Sequence, residues 1–223
     1  MHFMFPSLCF IIENMEELLI ITAIEPQKRK KDRYNIYADG EYVASLGAEA
    51  IVKAGIRAGA PISQKALDDA VLADNVQYAF DSAVGLLAHG MRTRGELEQR
   101  LRGRGIADEA IAPAMDKLAA YGYVDDMAYA QDFVRSDIAS GRWGRVAVAH
   151  RLQEKRLPRD IIDQAMLCYT EEEERRNARR QLEALISKNT GDKRQVRQKA
   201  FAALARRGFS SDIINDLFSE AYD

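Results

Sequence analysis

The sequence predicts a mainly α-helical protein of tandem three-helix repeats, arranged as an elongated curved array, with a small β-hairpin element near its N-terminus. Two observations predict this class. A short region of alternating apolar and polar residues is followed, after Pro61, by apolar residues spaced three and four apart through the rest of the chain. Within that helical stretch the sequence resembles itself at a period of about fifty residues, which is typical of helical repeat proteins.

The composition excludes two classes of protein. The 223 residues include 32 Lys+Arg and 34 Asp+Glu, a formal charge of −2, and 47% are hydrophobic. A disordered chain would be less hydrophobic, and a protein that coats DNA with its whole surface would carry a large excess of cations. Cys9 and Cys168 lie far apart and have no zinc or disulfide spacing, so a reducing cytoplasm is expected.

The N-terminal residues 1–15 are interpreted as a disordered extension. The apolar run Met1–Ile12 is too short to span a membrane, is interrupted by Pro6 and lacks the basic start of a signal peptide. Because the ordered pattern begins directly after Met15, a second hypothesis places the translation start at that residue.

Residues 16–62 form the predicted β element. Alternating residues predict strands at Leu18–Ile24, 34–38 and 42–46, and Asp39-Gly40 supplies the tight turn between the last two. Three strands need a cover, which the short helix predicted at Ala48–Ala54 could supply. The basic segment between the first two strands, KRKKDR at 28–33, is either a solvated connection or a contact for phosphate or an acidic partner.

The helical part divides into three repeats, at 63–123, 124–169 and 170–223. Leu101, Leu152 and Leu204 lie 51 and 52 residues apart. Each is followed by Gly or Arg at the fourth position, an apolar residue at the fifth, an acid at the eighth and Ile at the tenth. Gly105 and Gly208 suit a left-handed helix end, from which Arg156 departs.

Capping residues predict where the helices of each repeat begin. Thr93–Glu96 is a capping box, and Asp192–Gln195 has the same form. Other expected starts are N-caps at Asp108, Asp125 and Ser210, and a first helical position at Pro158. The predicted helices are Val76–His89, Thr93–Arg102, Asp108–Tyr121, Asp125–Ser140, Arg142–Lys155, Pro158–Tyr169, Glu171–Ser187, Asp192–Arg206 and Ser210–Ala221.

No catalytic or metal-binding pattern occurs. His2, His89 and His150 belong to no metal or acid-base motif, and the acidic pair Asp125-Asp126 is explained by the start of a helix. Gly103-Arg104-Gly105 lacks the context of a phosphate-binding loop. The sequence therefore predicts no enzyme, no cofactor and no metal.

The middle helix of each repeat is basic. Residues 92–104 contain five basic and two acidic residues, residues 142–159 six and one, and residues 193–207 six and none. Stacked repeats could align these helices as a discontinuous basic stripe that meets a polyanion or an acidic groove. The alternative is an ordinary solvated face.

Three aromatic residues lie near these helices, namely Tyr121, Tyr123 and Trp143. They could stack on bases or pack beneath arginine. The alternative is that they are core or boundary residues at helix junctions.

Three further segments resemble the RecX family, the bacterial regulators of the recombinase RecA. Thr93–Leu97 (TRGEL) is similar to the family's Ser-Arg-x-Glu-Leu element, Gly122–Val134 to its Gly-Tyr-apolar-Asp-Asp core, and Gly141–Arg145 to the start of its basic helix. The resemblance covers about Glu16 to Ala221. The chain departs from the family in Thr93 for serine, in Arg156-Leu157 for Gly-Ile, and in its first fourteen residues.

The resemblance implies a non-enzymatic helical-repeat protein that binds in the groove of the RecA filament on single-stranded DNA and restrains recombinase, ATPase and coprotease activity. It implies a cytoplasmic monomer that contacts RecA and single-stranded DNA, and duplex DNA weakly, without membrane contact. An autonomous DNA-binding protein and a helical protein adaptor are the alternatives. The expected contact residues are Arg92, Arg94, Arg100, Arg102, Arg104, Arg142, Trp143, Arg145, Arg151, Lys155, Arg156, Lys193, Arg194 and Arg197.

Overall fold

A computed structural model of the chain describes residues 18–28, 32–187 and 192–222. The predicted extension at 1–15 and the hypothesised start at Met15 lie outside the described residues, and so does the centre of the basic segment at 28–33. The chain forms two compact units. Of the described residues, the first unit contains those up to 81 and 106–114, and the second contains 82–105 and those from 115 onward.

The first unit contains a four-stranded antiparallel sheet in the order β3-β2-β1-β4. The predicted hairpin is confirmed, since Asp39 and Gly40 adopt φ of 50° and 85° between two paired strands. The fourth strand was missed because three residues are too few to show alternation. The strands are β1 Leu18–Pro26, β2 Arg33–Ala38, β3 Glu41–Gly47 and β4 Pro61–Ser63.

Two helices pack against this sheet. The short helix α1 (Ala48–Lys53) has no buried residue, so most of the expected cover comes instead from α2 (Gln64–Leu87), whose Leu67 is buried with the sheet residues. The hydroxyl of Ser63 accepts a hydrogen bond from the Ala66 N–H (3.3 Å) and caps α2. The helix predicted at Val76–His89 is therefore the C-terminal part of a longer helix that begins at Gln64.

The remaining helices carry the three repeats. Their bounds are α3 Arg94–Arg102, α4 Asp108–Ala120, α5 Asp126–Ser140, α6 Arg145–Glu154, α7 Arg159–Ala165, α8 Glu171–Ser187, α9 Lys193–Arg206 and α10 Ser211–Tyr222. Residues 166–168 extend α7 by a 3₁₀ turn. The start of α6 is displaced from the prediction: the helix begins three residues late because Gly141 ends α5 in the left-handed conformation (φ 63°) and Gly144 is the extended N-cap of α6.

The predicted caps are mostly confirmed. Thr93 and Glu96 form the capping box, and the Asp125 carboxylate accepts from the Ala128 N–H (2.9 Å). Ser210 accepts from the Ile213 N–H (3.3 Å). The capping box expected at Asp192 is wrong, because that side chain makes no cap hydrogen bond.

Three further details of the helix ends differ from the sequence pattern. Asp108 lies within the first turn of α4 instead of capping it, and Pro158 is the N-cap residue of α7. Arg156 adopts the left-handed φ of 60° that glycine supplies at the other two turns, so the chain makes this turn despite the side chain.

Repeats 2 and 3 each bury a separate apolar cluster. The first is centred on Val134, Leu152 and Tyr169 and the second on Leu204 and Phe218. The apolar residues of the repeats that are only partly buried include Leu87, Ile106, Phe133, Ile138 and Leu185.

Candidate nucleic-acid interface

The three basic middle helices, α3, α6 and α9, meet end to end. The Thr93 hydroxyl donates to the Lys155 carbonyl (2.5 Å), and Lys155 Nζ lies 3.0 Å from Glu96 Oε1, so the start of α3 contacts the end of α6. At the next junction the Gly144 N–H donates to the Arg207 carbonyl (2.8 Å), which joins the start of α6 to the end of α9. The basic segments are thus consecutive in space within the second unit.

Glycine permits both junctions. A Cβ on Gly95 would lie 2.6 Å from Cβ and 2.7 Å from the carbonyl oxygen of Arg156. A Cβ on Gly144 would lie well under 3.0 Å from the Gly208 carbonyl and the Phe209 nitrogen. The repeats therefore touch backbone to backbone, which leaves little freedom in the angle between successive middle helices.

Each junction also contains a carboxylate from the following repeat. Asp126, in the first turn of α5, accepts from the Arg94 N–H (2.8 Å), and Glu174, in the first turn of α8, accepts from the N–H groups of Arg145 (3.0 Å) and Ser210 (3.3 Å). A negative charge is favourable at a helix N-terminus. Burial nevertheless raises the pKa of both carboxyls, since it disfavours the charged form.

These two carboxylates were not recognised in the sequence. Asp126 and Glu174 lie 32 and 29 residues from the Arg94 and Arg145 N–H groups that they cap, so neither fits a local capping motif. The only signal was their similar position at the start of the first helix in repeats 2 and 3.

Arg151 is held inside repeat 2. Its guanidinium is paired with the buried Asp137 and lies 4.8 Å from the ring centroid of Phe133 and 5.3 Å from that of Trp143. Trp143 therefore packs beneath arginine and is also a boundary residue, partly buried against the core of repeat 2. The Tyr169 hydroxyl donates to the Trp143 carbonyl (2.7 Å) and fixes the backbone of this turn.

Replacement of Arg151 by alanine is expected to destabilise the second unit by about 2 kcal/mol, because Asp137 would remain buried without its partner. Urea unfolding of Arg151→Ala is compared with that of Arg142→Ala. Arg142 is exposed and makes no ion pair among the described residues. Arg142→Ala is expected to lie within about 0.5 kcal/mol of the wild type. Equal unfolding midpoints for the two variants would contradict the structural role of Arg151.

Other predicted contact residues are also engaged within the chain. Arg94 lies 3.0 Å from Glu98 and 2.9 Å from Asp116, and Arg102 lies 3.5 Å from Glu98. Arg92 is partly buried, and its Nε has no hydrogen-bond partner among the described residues. These side chains shape the surface and offer little charge for a ligand.

A second group of the predicted residues is exposed to solvent. Arg197 is exposed and lies over the Phe218 ring at 5.3 Å. Arg145 is half-exposed beside its capped N–H group. The side chains that are exposed and make no ion pair within the described ranges are Arg100, Arg104, Arg142, Arg156, Lys193 and Arg194.

Tyr121 and Tyr123 follow α4 and are 61% and 58% exposed. Their ring centroids lie 6.1 Å apart with the planes tilted by 55°. Exposed rings of this kind can stack on nucleic-acid bases.

The described residues contain no cluster of three His, Cys, Asp or Glu side chains that could hold a metal ion. None of the helices within those residues is long and apolar enough to cross a bilayer.

The fold and site define a tandem three-helix-repeat protein whose basic middle helices are joined end to end. Family models match four segments: the regulatory protein RecX N-terminal domain at 19–63, and the first, second and third RecX three-helix domains at 79–118, 125–166 and 171–218. The chain belongs to the RecX family of regulatory proteins.

Curated relatives and solved structures agree with this assignment. The chain is 30% identical over 209 residues to the regulatory protein RecX of Clostridium acetobutylicum, covering 90% of this chain and 97% of the relative. It is 27% identical over 202 residues to that of Listeria monocytogenes serotype 4a, covering 90% and 75%.

Two RecX crystal structures are similar to the fold. A crystal structure of regulatory protein RecX matches with a TM-score of 0.67 at 27% identity, covering 90% of this chain and 99% of that one. The crystal structure of RecX from Lactobacillus salivarius matches with a TM-score of 0.61 at 26% identity, covering 66% and 97%.

Proposed function

We propose that this protein is a non-enzymatic, mainly inhibitory regulator of RecA that binds in the groove of the RecA filament on single-stranded DNA. In that position it restrains recombinase, ATPase and coprotease activity. It acts in the cytoplasm as a monomer and binds duplex DNA only weakly. Membership of the RecX family supports regulation of RecA, and the exposed cations on the joined middle helices support the mode of binding.

The distribution of charge along the chain is the observation that supports the proposal most. Residues 92–104, 142–159 and 193–207 carry net charges of +3, +5 and +6 within a chain of net charge −2. Exposed cations without local carboxylates attract phosphates and acidic protein surfaces. A protein with a local basic face and an acidic remainder binds a polyanion along one side, which suits docking in a filament groove.

The direct test is RecA's single-stranded-DNA-dependent ATPase and strand exchange, measured with and without substoichiometric amounts of this protein. A slowed rate in both reactions is expected, since each bound molecule would contact several RecA subunits. No change in either rate would overturn the proposal.

Charge reversal on the exposed face is expected to weaken filament binding about tenfold. The test variant is Arg142→Glu with Arg156→Glu, both exposed and without ion pairs among the described residues. The matched control is Arg57→Glu with Lys65→Glu, exposed cations of the first unit with the same change in net charge. Co-sedimentation with RecA filaments gives the affinities, and circular dichroism confirms equal helicity. Equal affinity of the two double variants would show that the filament binds a different surface of the protein.

The exposed tyrosine pair favours autonomous DNA binding as the second candidate function. In that case, tight and steeply salt-dependent binding to DNA would be measured without RecA.

A further inference from the structure

The turn between α5 and α6, Gly141–Gly144, belongs to repeat 2 and contacts repeat 3. The Gly141 carbonyl accepts from Gln181 Nε2 of α8 (2.9 Å), and Gln181 Oε1 in turn accepts from the Arg207 guanidinium. The Gly144 N–H donates to the Arg207 carbonyl (2.8 Å). We call this segment the Gly141 turn. Residues of α8 and of the end of α9 thus fix both ends of it.

Two guanidinium groups, from α8 and from the end of α9, lie beside the Gly141 turn, and a third arginine belongs to the turn itself. Arg142 belongs to the turn and is exposed. Arg207 reaches it through Gln181. Arg180 Nη1 lies 3.1 Å from the position that a Cβ on Gly141 would occupy. None of the three makes an ion pair with a described residue, so the cluster carries uncompensated positive charge.

Two carboxylates next to the turn are already engaged. Asp137, one helical turn before Gly141, is paired with Arg151. Glu174 accepts from the Arg145 and Ser210 N–H groups. Like charges in one place repel each other, and an anion relieves that repulsion.

The junction between repeats 1 and 2 provides an internal comparison. There, Lys155, which is 52 residues before Arg207, lies 3.0 Å from Glu96. The residue 51 after Glu96 is Ala147, so Arg207 has no corresponding carboxylate.

A second position also has an acidic residue at the first junction and a cation at the second. Asp126 and Glu174 cap equivalent helix starts and lie 48 residues apart. By the same offset, Arg180 corresponds to Asp132, which is paired with Arg135. Both junctions have an accepting carbonyl at the end of a middle helix and a carboxylate cap from the following repeat, and only the second has a cation in both positions.

We propose that Arg142, Arg180 and Arg207 form a binding site for a phosphodiester group of a nucleic-acid strand at the Gly141 turn. That the strand is the DNA of the RecA filament rests on the proposed function. The site specifies where the second unit would hold that strand. Guanidinium groups match phosphate oxygens in bidentate geometry. Neither Arg180 nor Arg207 was among the contact residues expected from the sequence.

The test is a titration of fluorescein-labelled oligonucleotides of about 20 nucleotides, single-stranded and duplex, followed by fluorescence anisotropy at several salt concentrations. Arg180→Gln is expected to lower the association constant about fivefold at low salt. It is also expected to reduce the slope of log K against log salt by about 0.7 for the single strand, because one phosphate contact is lost. The duplex titration shows which form of strand supplies the phosphodiester.

A second variant neutralises the site without removing an arginine. Ala147→Glu places a carboxylate where Glu96 stands at the first junction, and it is expected to pair with Arg207 and lower affinity to a similar extent. The control is Arg57→Gln, an equal charge change at an exposed side chain of the first unit, outside the three basic segments. Its affinity should stay within about twofold of the wild type, since an exposed charge at a distance is screened. Circular dichroism checks that each variant is folded.

Wild-type-like titrations for both Arg180→Gln and Ala147→Glu would overturn the site, and so would the absence of wild-type binding to either oligonucleotide at 50 mM salt. An equal loss in Arg57→Gln would also overturn it, since the effect would then follow total charge. The titration contains no RecA, so failure of the site is distinguishable from failure of RecA regulation, which the ATPase and strand-exchange assays measure.

Discussion

Gly144→Ala is expected to destabilise the second unit by about 3 kcal/mol. The φ and ψ of Gly144, −78° and 168°, suit alanine, so backbone strain at this residue contributes little. The cost arises because the new Cβ would overlap the Gly208 carbonyl and the Phe209 nitrogen, which are backbone atoms of the next repeat. Overpacking of this kind typically costs about 1–3 kcal/mol, and backbone atoms cannot rotate away.

The matched control is Gly85→Ala within α2, where a Cβ would meet no atom within 4 Å. Alanine favours a helix interior by about 1 kcal/mol over glycine, so this variant should unfold at equal or higher urea concentration. Urea unfolding followed by circular dichroism compares the two variants with the wild type. If Gly144→Ala unfolds at the same concentration as Gly85→Ala, the backbone contact between repeats 2 and 3 is looser than described.

Removal of the Glu174 carboxylate is expected to have an effect of similar size. Glu174 is 3% exposed and accepts from the Arg145 and Ser210 N–H groups. Glu174→Leu would leave these donors without an acceptor, at about 1–3 kcal/mol for each buried group, so a loss of about 3 kcal/mol is expected. Glu174→Gln retains an acceptor oxygen and should remain within about 1 kcal/mol of the wild type at pH 7.

The pH dependence of the two proteins should also differ. Burial raises the pKa of Glu174 in the folded state, so between the ordinary pKa and the raised one the folded state binds more protons than the unfolded state. This contribution to stability is fully present below the ordinary pKa and is lost as the pH rises through the raised value. Relative to Glu174→Gln, the wild type should therefore be more stable at pH 4 than at pH 7.

Urea unfolding of the wild type and of Glu174→Gln at intervals from pH 4 to pH 7 measures this difference. The glutamine variant is the control, because it retains every other titrating group. A difference in unfolding free energy that is constant or rises with pH would show that burial does not dominate the pKa of Glu174. Equal stability of Glu174→Leu and Glu174→Gln would show that the two hydrogen bonds contribute little.

Local chemistry explains what the sequence predicted well. The hairpin follows from Asp39-Gly40, where two successive residues take positive φ. The start of α3 follows from a capping box whose partners are three residues apart. Features of this kind involve neighbours in sequence, so spacing alone reveals them.

The late start of α6 was missed for a physical reason. Arg142 and Trp143 are compatible with a helix, but Gly141 ends α5 in a left-handed conformation and Gly144 lies against the next repeat. The predicted basic residues fall into a paired group and an exposed, unpaired group for a similar reason. Arg151 and Lys155 pair with Asp137 and Glu96, which lie 14 and 59 residues away. The charges can be counted from the sequence, but which of them are paired depends on contacts between residues far apart in it.

The sequence by itself determined the class of fold, the three repeats, their basic middle helices and the family resemblance, because these depend on periodicity and on neighbouring residues. Only the tertiary structure decided which cations face solvent, which carboxylates cap helices of the preceding repeat, and that Arg180 and Arg207 meet at the Gly141 turn. Those relations join residues from 14 to about 60 positions apart, and the energies of capping, ion pairing and close packing depend on distances that a linear pattern does not contain.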